Sequence, residues 1–195
     1  MPRTFADETK RLLFHPWALG KKTLPRWKGD AFPPPSRAEV HLAEELSDYE
    51  KRTFEQGIDF RRPGYPAFVK DETGLSFLEE WGRWSDGRKV TLTLANPLKG
   101  KFKLVLVGGA FGKNVGRPIP VRIGHLRQKI TFSGPPHPGE IQTLEFALRR
   151  PATTIEFSIP RPTSPERDNR RVGLGFVQLR VEPLDQSGNG RTETE

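Results

Sequence analysis

The sequence contains no cysteine, which excludes a disulfide framework, a thiolate metal site and a cysteine nucleophile. It leaves the redox compartment undetermined. Long apolar runs are also missing, since the longest, from Leu104 to Gly112, covers nine residues and is too short to cross a bilayer. The first residues include Asp7 and Glu8 and have no uninterrupted apolar core, so no signal peptide is predicted. The default expectation is a cytoplasmic protein or part of an assembly, without a membrane span.

The familiar catalytic motifs are absent as well. There is no Gly-x-Ser-x-Gly nucleophile elbow and no Gly-x-x-x-x-Gly-Lys-Ser/Thr phosphate loop. The glycine-rich stretch 108–112 has neither spacing, and we interpret it as a strand end or bulge. The four histidines, His15, His41, His125 and His137, lack the spacing of metal ligands. The sequence therefore predicts a protein that is not an enzyme and has no metal and no cofactor.

Glycine and proline, at 19 residues each, interrupt the chain too often for a helical bundle, while 13 Phe and 4 Trp provide apolar surface for a core. From residue 58 onward, apolar and polar residues alternate with a period of two, as in strands with one buried face. This alternation predicts a mainly β domain over 58–184, an antiparallel β-sandwich or jelly roll. The seven predicted strands lie in the segments 90–94, 102–106, 119–123, 130–132, 144–148, 155–159 and 177–181.

A helix is predicted over 36–57. Ser36 and Glu39 have the spacing of a capping box, and apolar residues recur along one face up to Tyr49 or Phe54. Gly57 is suited to end the helix. The stripe predicts that this amphipathic helix packs on the outside of the β domain.

Residues 1–35 are predicted to form an extended basic arm, and residues 185–195 a disordered polar tail. The arm combines a net charge of +4 with a Pro33-Pro34-Pro35 spacer. Its aromatic residues either fold back onto the chain's own core or anchor the arm on a protein partner, including a second copy of this chain. The candidate anchors are Phe14, Trp17, Trp27 and Phe32.

The formal net charge is +8. Residues 58–184 alone contribute +9, and the acidic helix and tail lower the total. Such a basic body could attract nucleic acid, anionic lipid or an acidic glycan. The ordinary interpretation is a well-solvated surface, because the basic residues are scattered. A nucleic-acid ligand is disfavoured, since no recognition motif occurs and the predicted helix is acidic.

Two segments stand out as candidate binding elements. In the first, Trp81-Gly-Arg83-Trp84, an indole could stack on a sugar ring while the arginine hydrogen-bonds to it. Alternatively, one or both indoles fill the end of the sandwich. The second segment, 164–173, is a polar loop. Asp168 is expected to pair with an arginine of its own loop or with Arg83, leaving another arginine free.

The order of residues in these segments resembles a bacterial β-sandwich domain of undefined function. That domain occurs C-terminally in membrane proteins similar to phosphoglycerol transferases and polysaccharide glycosyltransferases. The resemblance covers residues 58–182, and no membrane-spanning or catalytic portion precedes the domain in this sequence. The matching positions are Gly74, Ser76, Glu80, Trp81, Gly82, Arg83, Trp84, Ser85, Asn114, Gly116, Ser164, Pro165, Asp168, Arg170, Arg171 and Gly173.

The resemblance implies the fold and a link to glycan systems, but it carries no catalytic residue. Together with the aromatic and arginine-rich segments, it gives the hypothesis of a non-catalytic accessory module that binds a glycan or supports a polysaccharide-related system. The alternative is a structural subunit of a larger assembly that docks through its arm. The candidate glycan-binding residues are Trp81, Arg83, Trp84, Asn114, Asp168, Arg170 and Arg171.

Overall fold

A computed structural model describes residues 37–166 and 168–184 and confirms the mainly β, antiparallel fold. The described chain contains one α-helix, α1 (Arg37–Glu50), and a short 3-10 helix (Gly112–Asn114). The strands are β1 (Ile58–Asp59), β2 (Val69–Thr73), β3 (Arg83–Trp84), β4 (Lys89–Ala110), β5 (Ile119–Ile123), β6 (Leu126–Ile130), β7 (Glu140–Ser158) and β8 (Leu174–Pro183).

Two long strands, β4 and β7, organise the sheet by pairing along nearly their whole length. The first part of β4 also pairs with β2, and its last part pairs with β8. The last part of β7 continues to β5 and then to β6. The strand order along the main path is β1-β8-β4-β7-β5-β6, with β2 attached to β4 and β3 to β8.

The β4–β7 pair folds back on itself, so that its two halves face each other across one core. Val90 near the start of β4 pairs with Phe157, whereas Gly108 near its end pairs with Phe176. A straight strand would hold these two positions roughly 60 Å apart. Yet the rings of Phe157 and Phe176 meet edge to face at 5.1 Å. The fold-back lies where the β4–β7 register shifts, between Thr93 and Gly100.

The alternation predicted where strands lie, but it did not predict that some of them are parts of one longer strand. The predicted strands 90–94 and 102–106 are parts of β4, and 144–148 and 155–159 are parts of β7. Pro97 lies in the irregular part of β4, where a proline costs no ladder hydrogen bond. Strands β1, β2 and β3 were missed because two of them span only two residues and β2 is mostly polar.

The end of β4 confirms the interpretation of the glycine-rich stretch. The register with β8 shifts between Val107 and Gly108, and β4 ends at Ala110. The same irregularity corrects the predicted alternation of the last strand. Val177 has no partner on β4 in this register and is only half-buried, whereas Phe176 is fully buried.

Helix α1 ends at Glu50, seven residues before the predicted end at Gly57. Gly57 instead precedes β1 and lies against the backbone of Leu179, where a Cβ atom would collide. The last turn of α1 holds the helix on the β domain through the buried Tyr49. Its hydroxyl donates to the carbonyl oxygen of Asp59 (2.9 Å) and accepts from the Asp59 N–H (3.1 Å).

The predicted arm over 1–35, with Phe14, Trp17, Trp27 and Phe32, lies outside the described residues, as do Ser36 of the proposed cap and the tail 185–195. The arm, the helix cap and the tail therefore stay predictions. Within residues 37–166 and 168–184, no helix has the length and apolar character needed to cross a membrane.

Candidate functional site

The fold-back of β4 and β7 brings several strand ends together at one end of the sandwich. The N–H of Ile159, just after β7, donates to the carbonyl oxygen of Arg88, just before β4 (2.8 Å). The N–H of Phe111, just after β4, donates to Gly173, just before β8 (3.1 Å). The loops that hold both unusual sequence segments therefore meet at this end.

Asn114 fastens two of these loops and is not available to a ligand, contrary to its place among the predicted binding residues. Its side chain is completely buried. The amide nitrogen donates to the carbonyl oxygen of Arg161 (2.7 Å), and the amide oxygen accepts from the Arg161 N–H (3.0 Å). Burial of an amide is favourable only when its donors and acceptors are satisfied, so this pairing is a structural one.

Ser85 forms a second set of buried hydrogen bonds between two segments. Its hydroxyl oxygen accepts from the N–H groups of Gly173 (3.1 Å) and Leu174 (3.0 Å), and the residue is fully buried. These hydrogen bonds hold the Trp-Gly-Arg-Trp-Ser string against the start of β8. The serine of the string therefore has a structural role inside the domain.

The two tryptophans are both half-buried and in contact with each other, with ring centroids 4.8 Å apart. The Trp81 indole N–H donates to Glu79 Oε2 (2.8 Å). Trp84 continues the aromatic row to Phe111, with centroids at 5.7 Å. We call Trp81, Trp84 and Phe111 the aromatic row. The sequence left open whether the indoles are core or surface, and the structure shows them partly covered and partly accessible.

Gly82 between the tryptophans is required by close packing. Its φ is 148°, and a Cβ atom there would collide with the carbonyl oxygen of Phe176 on β8. The backbone of the string can therefore lie directly on β8, which sets the positions of Trp81 and Trp84.

Arg170 lies at the centre of an ion-pair cluster, which confirms the prediction that Asp168 pairs within its own loop. Its NH2 group is 2.6 Å from Asp168 Oδ2, and its NH1 group is 2.7 Å from Glu79 Oε1. NH1 also donates to Ser76 Oγ (3.2 Å), and the guanidinium lies 4.2 Å from the ring centre of Phe77. One arginine thus ties the second segment to the first.

The charges in this cluster shift each other's protonation equilibria. Hydrogen bonds from Arg170 hold the pKa of Asp168 below its ordinary value, and the Asp168 carboxylate raises the pKa of Arg170. Both side chains are mostly covered, with 24% and 18% of their surface exposed. Arg170 and Asp168 are therefore occupied with each other and with Glu79, and they offer little to a ligand.

Arg83 points into a different environment from the one predicted. Its guanidinium lies 5.5 Å from the ring centre of Tyr65, and NH1 donates to the carbonyl oxygen of Ser76 (3.3 Å). Burial raises the pKa of the neighbouring Glu72, while the Arg83 charge opposes that rise. The half-buried Arg83 side chain therefore lies beside Tyr65 and Ser76 and is not the partner of Asp168.

Arg171, unlike Arg170, borders an open cavity of about 690 Å³. Its side chain makes only one hydrogen bond in the described chain, a long one from NH2 to the carbonyl oxygen of Pro162 (3.4 Å). This outcome matches the expectation that one arginine of the loop stays free. We call this space the basic cavity, and its lining residues are Arg88, Lys113, Pro160, Arg161, Pro162, Thr163, Ser164 and Arg171.

The basic cavity carries four cationic side chains and no carboxylate among its lining residues. Within residues 37–166 and 168–184, none of these four side chains forms an ion pair. A nearby carboxylate, Asp86, is engaged with the Arg171 backbone N–H (3.1 Å). Four cations and this one carboxylate leave a net positive charge around a concave space, which focuses a positive potential there. The arrangement can attract and orient an anion.

Sequence reasoning found only Arg171 of the four cations in the basic cavity. Arg88, Lys113 and Arg161 lie far apart in the chain, and no local spacing links them. A partial signal existed for Arg88 and Arg161, because each adjoins a glycine or a proline beside a predicted strand. Using it required knowing which strand ends meet.

Comparisons with known proteins identify the family of this domain. Residues 45–183 match a family described as "Domain of unknown function (DUF7024)". The chain is also similar to phosphoglycerol transferase I of Salmonella arizonae, Salmonella newport and Salmonella typhi. Each is 37% identical over 131 residues, covering 63% of this chain and 17% of the relative's length. The chain therefore belongs to the DUF7024 domain family. This confirms the resemblance that the Trp-Gly-Arg-Trp-Ser string indicated.

Proposed function

We propose that this domain is a non-catalytic accessory module that binds an anionic glycan of a polysaccharide-related system. The observation that carries the proposal is the basic cavity at the end of the sandwich, with four cations that form no ion pair in the part of the chain the structure describes. A ligand site is usually a concave space of a few hundred cubic ångströms with a few convergent polar groups. At about 690 Å³ the basic cavity has room for more than a simple ion.

The aromatic row supports a sugar as part of this ligand. Phe111 directly precedes the 3-10 helix that brings Lys113 to the cavity, and Trp84 packs against Phe111. Half-buried aromatic rings next to hydrogen-bond donors can combine stacking on a sugar face with polar contacts. The row and the cavity would then contact adjacent parts of one glycan.

The curated relatives support a polysaccharide-related system for such a module. They are named phosphoglycerol transferase I, and the matching region makes up 17% of their length. A segment of that size suits a substrate-holding module beside a separate catalytic part. We therefore place the glycan among those that accept or carry phosphoglycerol groups. The proposed role for this domain is to hold the glycan.

The proposal is tested by titrating the full chain with soluble polysaccharides in a calorimeter and by following backbone amide shifts. We expect an anionic glycan to bind and to shift amides in the loops 111–118 and 159–173. The glycan recovered afterwards should be unchanged in length and substitution. Binding of no glycan, or cleavage or modification of the glycan, would overturn the proposal.

Two matched variants test whether the glycan binds in the basic cavity. Arg161→Gln removes a cation of the basic cavity, whereas Arg149→Gln removes an exposed cation near the bend of β7, at the other end of the sandwich. Both change the net charge equally. Glycan binding should weaken markedly in the first variant and little in the second. Equal weakening in both would mean that only the overall charge matters.

A further inference from the structure

We infer that the group held in the basic cavity is a phosphate ester carried by a sugar or polyol, in preference to a neutral or a carboxylate sugar. The inference rests on the proposed function, because it names the ligand chemistry of the same site. It is argued from the donors and acceptors that line the cavity, from the positions of its cations, and from the way the loop is held.

The lining is rich in hydrogen-bond donors and poor in acceptors. The four cationic side chains donate only, and the lining includes no Asp, Glu, Asn or Gln side chain. The hydroxyls of Thr163 and Ser164 are the side-chain acceptors in the lining. A neutral sugar has a hydroxyl hydrogen on nearly every oxygen, and these two acceptors would leave most of those hydrogens without a side-chain partner. A ligand made mainly of acceptor oxygens fits this lining.

The cations reach the cavity from four separate segments. Arg88 precedes β4, Lys113 lies in the 3-10 helix after it, Arg161 follows β7 and Arg171 precedes β8. A tetrahedral phosphate directs its oxygens to several sides, so donors on different walls can each reach one. A carboxylate presents only two oxygens in one plane. Arginine forks also match phosphate edges in bidentate contacts.

The Arg170 cluster keeps the cavity open for such a group. Arg170 and Arg171 are adjacent in the loop that leads into β8. Asp168 and Glu79 hold the Arg170 side chain, whereas the Arg171 side chain reaches toward Pro162 and lines the cavity. The donor is thereby placed before a ligand arrives, which lowers the ordering cost of binding.

The experiment titrates the full chain with sn-glycerol 3-phosphate, glucose 6-phosphate, glucuronate and glucose, by calorimetry and by phosphorus NMR for the two esters. Both phosphate esters should bind, glucuronate should bind at least about tenfold more weakly, and glucose should show no binding. Arg171→Gln should weaken the esters about tenfold or more, whereas Arg149→Gln should change them by less than about twofold. Circular dichroism checks that both variants are folded.

The outcomes separate this inference from the proposed function. Equal affinity for glucuronate and glucose 6-phosphate would overturn the phosphate assignment and leave glycan binding standing. Phosphate esters that bind while no polysaccharide does would support the assignment and overturn the proposed function. If the esters bind equally to wild type and Arg171→Gln, the assignment fails. It also fails if phosphatidylglycerol vesicles bind the chain in an Arg171-dependent manner while the soluble esters do not.

Discussion

Arg170 and Arg171 are neighbours in the chain with opposite surroundings. The guanidinium of Arg170 is surrounded by Asp168, Glu79 and Ser76, whereas that of Arg171 borders the basic cavity and contacts one carbonyl oxygen. The contrast shows how one loop can use two identical side chains for different purposes. One arginine fixes the loop because carboxylates satisfy it, and the other can serve a ligand because none does. Four substitutions test this contrast, in order of expected effect on stability.

Asn114→Ala should destabilise the domain most, because it removes the fastening on which both loops depend. The change removes a fully buried side chain, leaves the Arg161 N–H without its partner, and leaves the Arg161 carbonyl oxygen with the Thr163 hydroxyl as its side-chain donor. The lost hydrogen bonds and the space vacated by the buried amide together predict a loss of about 2–4 kcal/mol. Chemical denaturation with a fluorescence readout measures it. A loss below that of Arg171→Ala would show that Asn114 does not fasten the loops.

Arg170→Ala should cost less, about 1–3 kcal/mol. It leaves Glu79 and Asp168 facing each other's charge without the cation between them, but both retain some contact with water, which reduces the penalty of a fully buried pair. The same denaturation measurement applies. Binding of an anion should also weaken, because Arg171 would no longer be held toward the cavity. An unchanged midpoint would mean that the cluster forms no stabilising contact.

Asp168→Asn should show its effect through pH. The pKa of Asp168 is held below its ordinary value of 3.8 by Arg170, so the charged form is favoured in the folded state. Its contribution to stability is present above pH 3.8 and disappears as pH falls through the lower folded pKa. The wild type should therefore melt at a higher temperature than the variant at pH 6, and the difference should shrink toward pH 2.

Glu166→Gln is the matched control for that measurement, because Glu166 lies in the same loop, is exposed and has no ion pair in the described chain. Its melting temperature should follow the wild type across the pH range. A pH-independent difference between wild type and Asp168→Asn would show that the carboxylate charge is not what stabilises the loop.

Arg171→Ala should have the smallest effect on stability, within about 0.5 kcal/mol, because the side chain is exposed and has one long hydrogen bond. Its midpoint of denaturation should match the wild type while Arg170→Ala shifts. A large loss of stability in Arg171→Ala would erase the distinction between the two arginines. The denaturation curves of both variants are recorded side by side.

The sequence by itself determined the class of fold, because alternating apolar residues can bury one face only as strands. It also predicted that Asp168 would pair with an arginine of its own loop or with Arg83, and the structure shows the pair with Arg170. Short strands such as β1 and β3 were beyond it, because two residues have no period. The helix end was missed because Gly57 marks a close approach of two backbones.

Only the tertiary structure decided which polar residues share a site. The fold-back of β4 and β7 places Arg88, Lys113, Arg161 and Arg171 around one cavity, although up to 83 positions separate them in the chain. The same packing buried Asn114, which was predicted to contact a ligand, and placed the Arg83 guanidinium beside the ring of Tyr65. Local patterns report which face of a strand is buried. Which strand ends meet depends on where two long strands bend, and that is set by the packing of the whole core.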